Sequence, residues 1–165
     1  MSEVRVDVYT DGACAKNPGP GGWAMVLRDK SGQVRFATGY AESTTNNEME
    51  LQAVVFSMRS AIAKRLDNLE DDFLYVIHSD SAYVVNSIKN LWVDGWARNG
   101  WKNKTGDAIA NRALWEQFLF LRDIGCSARV RFAMEKVRGH NGDPMNELSD
   151  SLAVAAKQTA VVVSS

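Results

Sequence analysis

The stretch that most constrains the fold is Phe73-Leu74-Tyr75-Val76-Ile77, an unbroken apolar run with acidic residues before it and His78-Ser79-Asp80 after it. Five residues suit a strand, and an apolar run without alternation suits a strand buried on both faces. Such a strand lies inside a sheet, so the rest of the chain must supply strands beside it and helices on both sides. Residues 4–9, Val-Arg-Val-Asp-Val-Tyr, alternate strictly and read as a half-buried strand. Residues 23–27 and 34–40 read as two more strands, joined by the turn Asp29-Lys30-Ser31-Gly32. Leu51, Val54, Val55, Met58 and Ile62 follow a helical period. After the apolar run, Tyr83, Val84, Val85 and Ile88 suggest a helix, and a further helix is expected over 108–122. Val130, Phe132 and Met134 alternate with charged residues as a fifth strand. Asp143-Pro144 opens the last helix, with Asp as N-cap and Pro at the first helical position. The expected architecture is α/β: a mixed five-stranded sheet, three antiparallel strands then parallel crossovers, flanked by helices. One domain is expected over residues 1–160, with a frayed tail over 161–165.

Four acidic residues stand at telling places in that frame. Asp11 closes the first strand, Glu50 lies in the first turn of the first long helix, Asp80 follows the doubly buried strand, and Asp150 lies two turns into the last helix. Sites in open α/β sheets collect at strand ends. Four carboxylates sharing one pocket would raise one another's pKa unless cations were present. An oxygen-only donor set suits Mg²⁺ or Mn²⁺ rather than zinc. Each residue also has a structural alternative. Asn47 with Glu50, or Thr45 with Glu48, could form a capping box. Asp80 could cap the next helix, Asp11 before Gly12 could belong to a turn, and Asp150 could be a solvated helix residue.

His140 sits in the Gly-flanked loop Arg138-Gly139-His140-Asn141-Gly142, where an imidazole could handle protons or be a plain surface residue. His78, beside the apolar run, reads as structural. Trp92, Trp96 and Trp101 are interleaved with Lys89, Arg98, Lys102 and Lys104, a pattern suited to a nucleic-acid strand. The alternative is that these rings pack into the core, which at least one of them is expected to do. The formal net charge of -1 argues against a protein that coats nucleic acid non-specifically. No apolar run approaches the roughly 20 residues that span a bilayer. The charged first residues do not resemble a secretory signal, and Cys14 and Cys126 are too few for a disulfide scaffold, so a cytoplasmic location is expected.

Taken together, these blocks resemble ribonuclease H of type 1, the family that cuts the RNA strand of RNA–DNA hybrids. The matching residues are Tyr9-Thr10-Asp11-Gly12-Ala13-Cys14, Asn17-Pro18-Gly19-Pro20-Gly21-Gly22-Trp23, Thr44-Thr45-Asn46-Asn47 with Met49-Glu50-Leu51, and Ser79-Asp80-Ser81 with Tyr83-Val84. They continue through Trp92, Trp96 and Trp101 to Val137-Arg138-Gly139-His140 and Asn146-Glu147 with Asp150. The resemblance implies a ribonuclease H-like fold. It implies that Asp11, Glu50, Asp80 and Asp150 hold two Mg²⁺ ions (Mn²⁺ is the alternative), and that His140 assists turnover. It implies that Cys14, Asn17, Asn46 and Asn47 read the hybrid's minor groove and that Thr45 and Asn111 hold a DNA-strand phosphate. Asn86, Trp92 and Trp101 join the substrate-binding set, the two tryptophans through a handle that grips the DNA strand. The implied products carry 5′-phosphate and 3′-hydroxyl ends, and a monomer with no membrane partner is expected.

The sequence departs from the family pattern at Ala82, where many members carry a substrate-touching Gln, at Glu48, where a basic residue is common, and in a less basic handle, Trp96-Ala97-Arg98-Asn99-Gly100-Trp101. Two other readings stay open: a transposase or integrase relative with the same fold, and a catalytically silent hybrid-binding module.

Overall fold

The alternation that begins at Val4 carries the first strand well past its apolar part. In the computed structural model, which describes residues 3–138 and 142–164, β1 spans Glu3–Cys14. It is followed by β2 (Gly19–Arg28), β3 (Val34–Thr44), α1 (Asn46–Lys64) and β4 (Asp72–Ser79). Then come α2 (Ala82–Lys89), α3 (Trp92–Arg98), α4 (Arg112–Ser127), β5 (Val130–Lys136) and α5 (Pro144–Ser164). The sheet order is β3-β2-β1-β4-β5. β1–β2 and β2–β3 pair antiparallel, while β1–β4 and β4–β5 pair parallel, as expected from the sequence.

Two adjacent glycines of β2 show how the sheet is covered. A Cβ on Gly21 would meet Met49 of α1 at 3.1 Å, and one on Gly22 would meet Ala156 of α5 at 2.6 Å. Neighbouring strand residues point to opposite faces, so α1 and α5 cover opposite sides of the sheet. On the α1 side Val8, Ile77 and Val130 join Leu51, Val54, Met58, Trp115 and Phe118 in one core. On the other side α5 lays down small residues, Ser149, Ala153, Ala156 and Ala160, all buried.

The start of α1 is set by Thr45, whose extended backbone (φ -127°, ψ 162°) stops the helix while its hydroxyl accepts the Glu48 N–H at 3.1 Å. Two expected boundaries move. The helix expected over 108–122 runs over Arg112–Ser127, because Ala108 bridges to Lys102, Ile109 N–H bonds Trp101 O at 3.0 Å, and Asn111 is left-handed at φ 62°. The tail expected to fray from 161 continues α5 to Ser164, anchored one turn earlier by the fully buried Ala160. Among the described residues, no helix is long and apolar enough to cross a membrane.

Candidate active site

The geometry begins where the parallel pairing of β1 and β4 stops. The last paired residues are Tyr9 and His78, yet β1 continues beside β2, with Asp11 opposite Ala24. Asp11 is therefore inside its strand rather than at its end, and it faces the gap left where β4 finishes. Asp80 stands just past β4 on the other side of that gap. Gly12 closes the third side: a Cβ there would lie 2.5 Å from the Glu50 backbone nitrogen, so only glycine lets α1 come this near. The glycine after Asp11 thus serves close approach and not a turn.

This approach brings Glu50, the fifth residue of α1, against Asp11. Ligand oxygens of Asp11, Glu50 and Asp80 all lie within 4.8 Å of one another. Asp150, half-buried on α5, lies outside that group of three but near enough to Asp11 to raise its pKa. The capping alternatives for Glu50 and Asp80 do not hold, while that for Thr45 with Glu48 does in part, through the Thr45 hydroxyl. α1 is capped by Thr45, so Glu50 caps nothing. α2 is capped by Ser81, whose hydroxyl accepts the Val84 N–H at 3.2 Å, so Asp80 stays free of that duty.

The electrostatics of the cluster are strained. Burial, then the charges of Asp11 and Asp80, push Glu50 up to about 10. Burial, then the Asp150 hydrogen bond and the Asp80 charge, push Asp11 up to about 7, and only the Gly12 N–H, 2.8 Å from its Oδ1, offers backbone relief. Glu50 Oε2 is buried with no hydrogen-bond partner. An orphaned carboxylate oxygen, two carboxyls with raised pKa and an oxygen-only donor set together fit a hard divalent cation.

Around the N-terminus of α1 the structure gathers a group of short polar side chains. Asn17 Oδ1 accepts the Asn46 N–H at 3.0 Å, tying the 15–18 loop to the helix start. The Cys14 thiol lies against the carbonyls of Gly19 and Thr44. Cys14, Asn17, Thr45, Asn46 and Asn47 therefore form one rim beside the carboxylates, with Asn46 and Asn47 exposed. The Asn111 amide donates to Tyr83 Oη at 3.3 Å, and Asn86 lies one turn beyond Tyr83 on α2. His140 lies outside the described residues.

The tryptophans divide. Trp92 is 47% exposed, whereas Trp101 is 8% exposed and belongs to the core, with the Arg112 guanidinium 5.6 Å above its ring. Trp96 packs edge-on against Trp115 at 6.0 Å. Trp92 and Trp96 therefore do not form one core stripe, and Trp92 is the ring left open to a ligand. A cavity of about 610 Å³ under the far half of α1, lined by Val6, Leu27, Phe56 and Phe73, holds none of the candidate residues.

Sequence reasoning missed Gly12 as the residue that seats Glu50 and missed a partner for Tyr9. An Asp-Gly pair inside an alternating strand is the signal for the first. The second has no local signal, because His78, on which the Tyr9 ring stacks, is 69 positions away.

Comparison with known proteins points the same way. The RNase H family model matches residues 3–158. A ribonuclease H of Granulibacter bethesdensis is 41% identical over 152 residues, covering 92% of this chain and 91% of its own. A ribonuclease H of Oleidesulfovibrio alaskensis is 40% identical over 149 residues, covering 90% of this chain and 88% of its own. A crystal structure of a type 1 RNase H with the type 2 active-site motif superposes with a TM-score of 0.71 at 32% identity, covering 97% of this chain and 75% of its own. Another RNase H, solved in complex with an RNA/DNA hybrid, shares the fold with a TM-score of 0.66 at 20% identity, covering 94% of this chain and 99% of its own.

Proposed function

The chain belongs to the ribonuclease H family, and from that premise we propose that it hydrolyses the RNA strand of RNA–DNA hybrids at the Asp11–Glu50–Asp80–Asp150 cluster, with two divalent ions and as a monomer. The observation that carries this reading is the convergence of three ligand oxygens within 4.8 Å beside an orphaned Glu50 oxygen. Mg²⁺ ions bound there would supply a nucleophile from water and charge stabilisation for an in-line displacement that leaves 5′-phosphate and 3′-hydroxyl ends.

The chain's own residues have the following work. Asp11 would hold divalent metal together with Glu50 and Asp80, whose ligand oxygens lie within 4.8 Å of its own. Glu50 and Asp80 hold the cluster from α1 and from the end of β4, and Asp150 completes it from α5. His140 moves a proton or helps product leave. Asn17, Asn46 and Asn47 both donate and accept, so they bond groove edges and the 2′-hydroxyls that separate RNA from DNA. Cys14 shares their rim, Thr45 and Asn111 take a DNA-strand phosphate, and Asn86 and Trp92 extend that contact. Trp101, buried under Arg112, supports the handle from within. Action in the cytoplasm is part of the same proposal.

The test is cleavage of labelled hybrid, double-stranded RNA, double-stranded DNA and single strands, each with Mg²⁺ and with chelator. Cleavage confined to the RNA of the hybrid and dependent on Mg²⁺ is expected. Cleavage of double-stranded DNA instead would favour the transposase-like reading, and binding without cleavage the silent one.

A further inference from the structure

The parallel ladder between β1 and β4 ends at the pair Tyr9–His78, and each strand then carries a carboxylate two residues further on, Asp11 and Asp80. Beyond that pair the strands part. β1 runs on beside β2 to Cys14, while β4 finishes at Ser79. How far Asp80 stands from Asp11 is therefore set by how the strands separate at this fork.

Asp11 stays inside a ladder, with Ala24 of β2 opposite. Asp80 is exposed and lies outside any strand or helix, so its placing falls to the backbone on either side. Three hydrogen bonds fix that backbone. The Thr10 hydroxyl donates to the His78 carbonyl at 3.2 Å. The Ser79 carbonyl accepts the Val137 N–H at 2.8 Å. The Ser79 hydroxyl accepts the Ser81 N–H at 3.1 Å, a short turn that encloses Asp80. Of these three, the Thr10 bond is the one that ties the end of β4 to the strand carrying Asp11. Thr10 is 1% exposed and shares its face of β1 with Val8, so water does not compete for its hydroxyl. A buried hydroxyl is costly without a partner, and the partner here lies at the fork itself. The Tyr9 ring stacks on His78 with centroids 4.4 Å apart, a second link across the last pair that does not use the Thr10 hydroxyl.

We propose that Thr10 is a positioning residue for the metal centre: its buried hydroxyl, donated to the His78 carbonyl, holds the end of β4 against β1 and so sets the separation of Asp80 from Asp11. This rests on the reading of Asp80 as a metal ligand. The effect of Thr10 passes through the His78 carbonyl to a carboxylate two residues on.

Thr10→Val keeps the branched shape and removes only the hydroxyl, while Thr10→Ser keeps the hydroxyl and removes a methyl. Both leave the Tyr9–His78 stack in place, so both should fold, and melting curves check this. Mg²⁺ binding to the free enzyme is measured by calorimetry for wild type, T10V, T10S, D80N and the T10V/D80N double variant, together with kcat and KM. The expected result for T10V is Mg²⁺ binding weakened by about tenfold, the scale of a lost outer hydrogen bond in a metal site. A lower kcat and an unchanged KM for hybrid should accompany it. T10S should bind Mg²⁺ as wild type does, although it too loses buried packing. In the D80N background, T10V should add nothing to the loss of Mg²⁺ binding. Full Mg²⁺ affinity in T10V, a loss in T10S equal to that in T10V, or an equal further loss in D80N would overturn the proposal while leaving Asp80 as a ligand. Unchanged Mg²⁺ binding in D80N alone would overturn both.

Discussion

In the folded, metal-free chain Glu50 and Asp11 keep their protons to higher pH than they would in the unfolded chain. Both have raised pKa values, Asp11 about 7 and Glu50 about 10, from burial and from each other's neighbours. Stability from these groups is therefore fully present below about pH 4 and lost as pH rises through about 7 and on toward 10. Thermal melts in chelator should show a falling melting temperature across that window, and saturating Mg²⁺ should flatten the fall. Asp11→Asn removes one of the mutually repelling charges, so its metal-free melting temperature at pH 7 should exceed wild type. A melting temperature that rises with pH in chelator would contradict this picture. His140 is expected to act on protons rather than bind metal. His140→Ala should slow turnover by a factor of about 10 to 1,000, with Mg²⁺ affinity unchanged by calorimetry. A large loss of Mg²⁺ binding would assign it a different role.

At the scale of elements, the site depends on how near α1 can approach β1. Gly12→Ala would force a methyl to within 2.5 Å of the Glu50 backbone nitrogen, and backbone yields less readily than a side chain. The variant should lose about 1–3 kcal/mol of stability by denaturant melts, and its activity should fall further than stability alone explains, because Glu50 moves away from Asp11. The handle makes a second element-scale case. Asp94 is paired to Arg122 of α4 at 2.5 Å, and Arg112 is held by Glu116 at 2.9 Å and by Trp101, which leaves Arg98, Lys102 and Lys104 exposed. Ala97→Lys with Asn99→Lys, both at exposed positions, should tighten hybrid binding and steepen its salt dependence by about 0.9 in log–log slope per new phosphate contact, with duplex DNA as the guide. Binding titrations in Ca²⁺ at several salt concentrations check this, and an unchanged slope would place the segment away from the backbone.

These elements also show what could be read from residues alone. The sheet, its mixed pairing and the Asp143 cap were legible because period and capping chemistry are local signals. The start of α4 was not, since the left-handed Asn111 carries no mark that separates it from a helical Asn. The burial of Trp101 was not legible either: it follows from Arg112 and a left-handed backbone at φ 63°, both set by tertiary packing. Asp11, Glu50 and Asp80 were legible as a group, but the neighbour that lets Glu50 reach Asp11 is a glycine whose meaning depends on a helix that begins 34 residues on.

For the whole molecule, a net charge of -1 means that affinity for a polyanion cannot come from a basic surface at large. On the function proposed above, it comes from the exposed cations of the handle, the polar rim of Asn17, Asn46 and Asn47, and cations held by the carboxylates. The central claim is that these carboxylates form the metal centre that cuts RNA in a hybrid. The most direct measurement is Mg²⁺-dependent cleavage of labelled hybrid by wild type and Asp11→Asn, side by side, with folding of each confirmed by its melting curve. The account predicts cleavage of the RNA strand by wild type and none by a folded, more heat-resistant Asp11→Asn; near wild-type cleavage by that variant would contradict it.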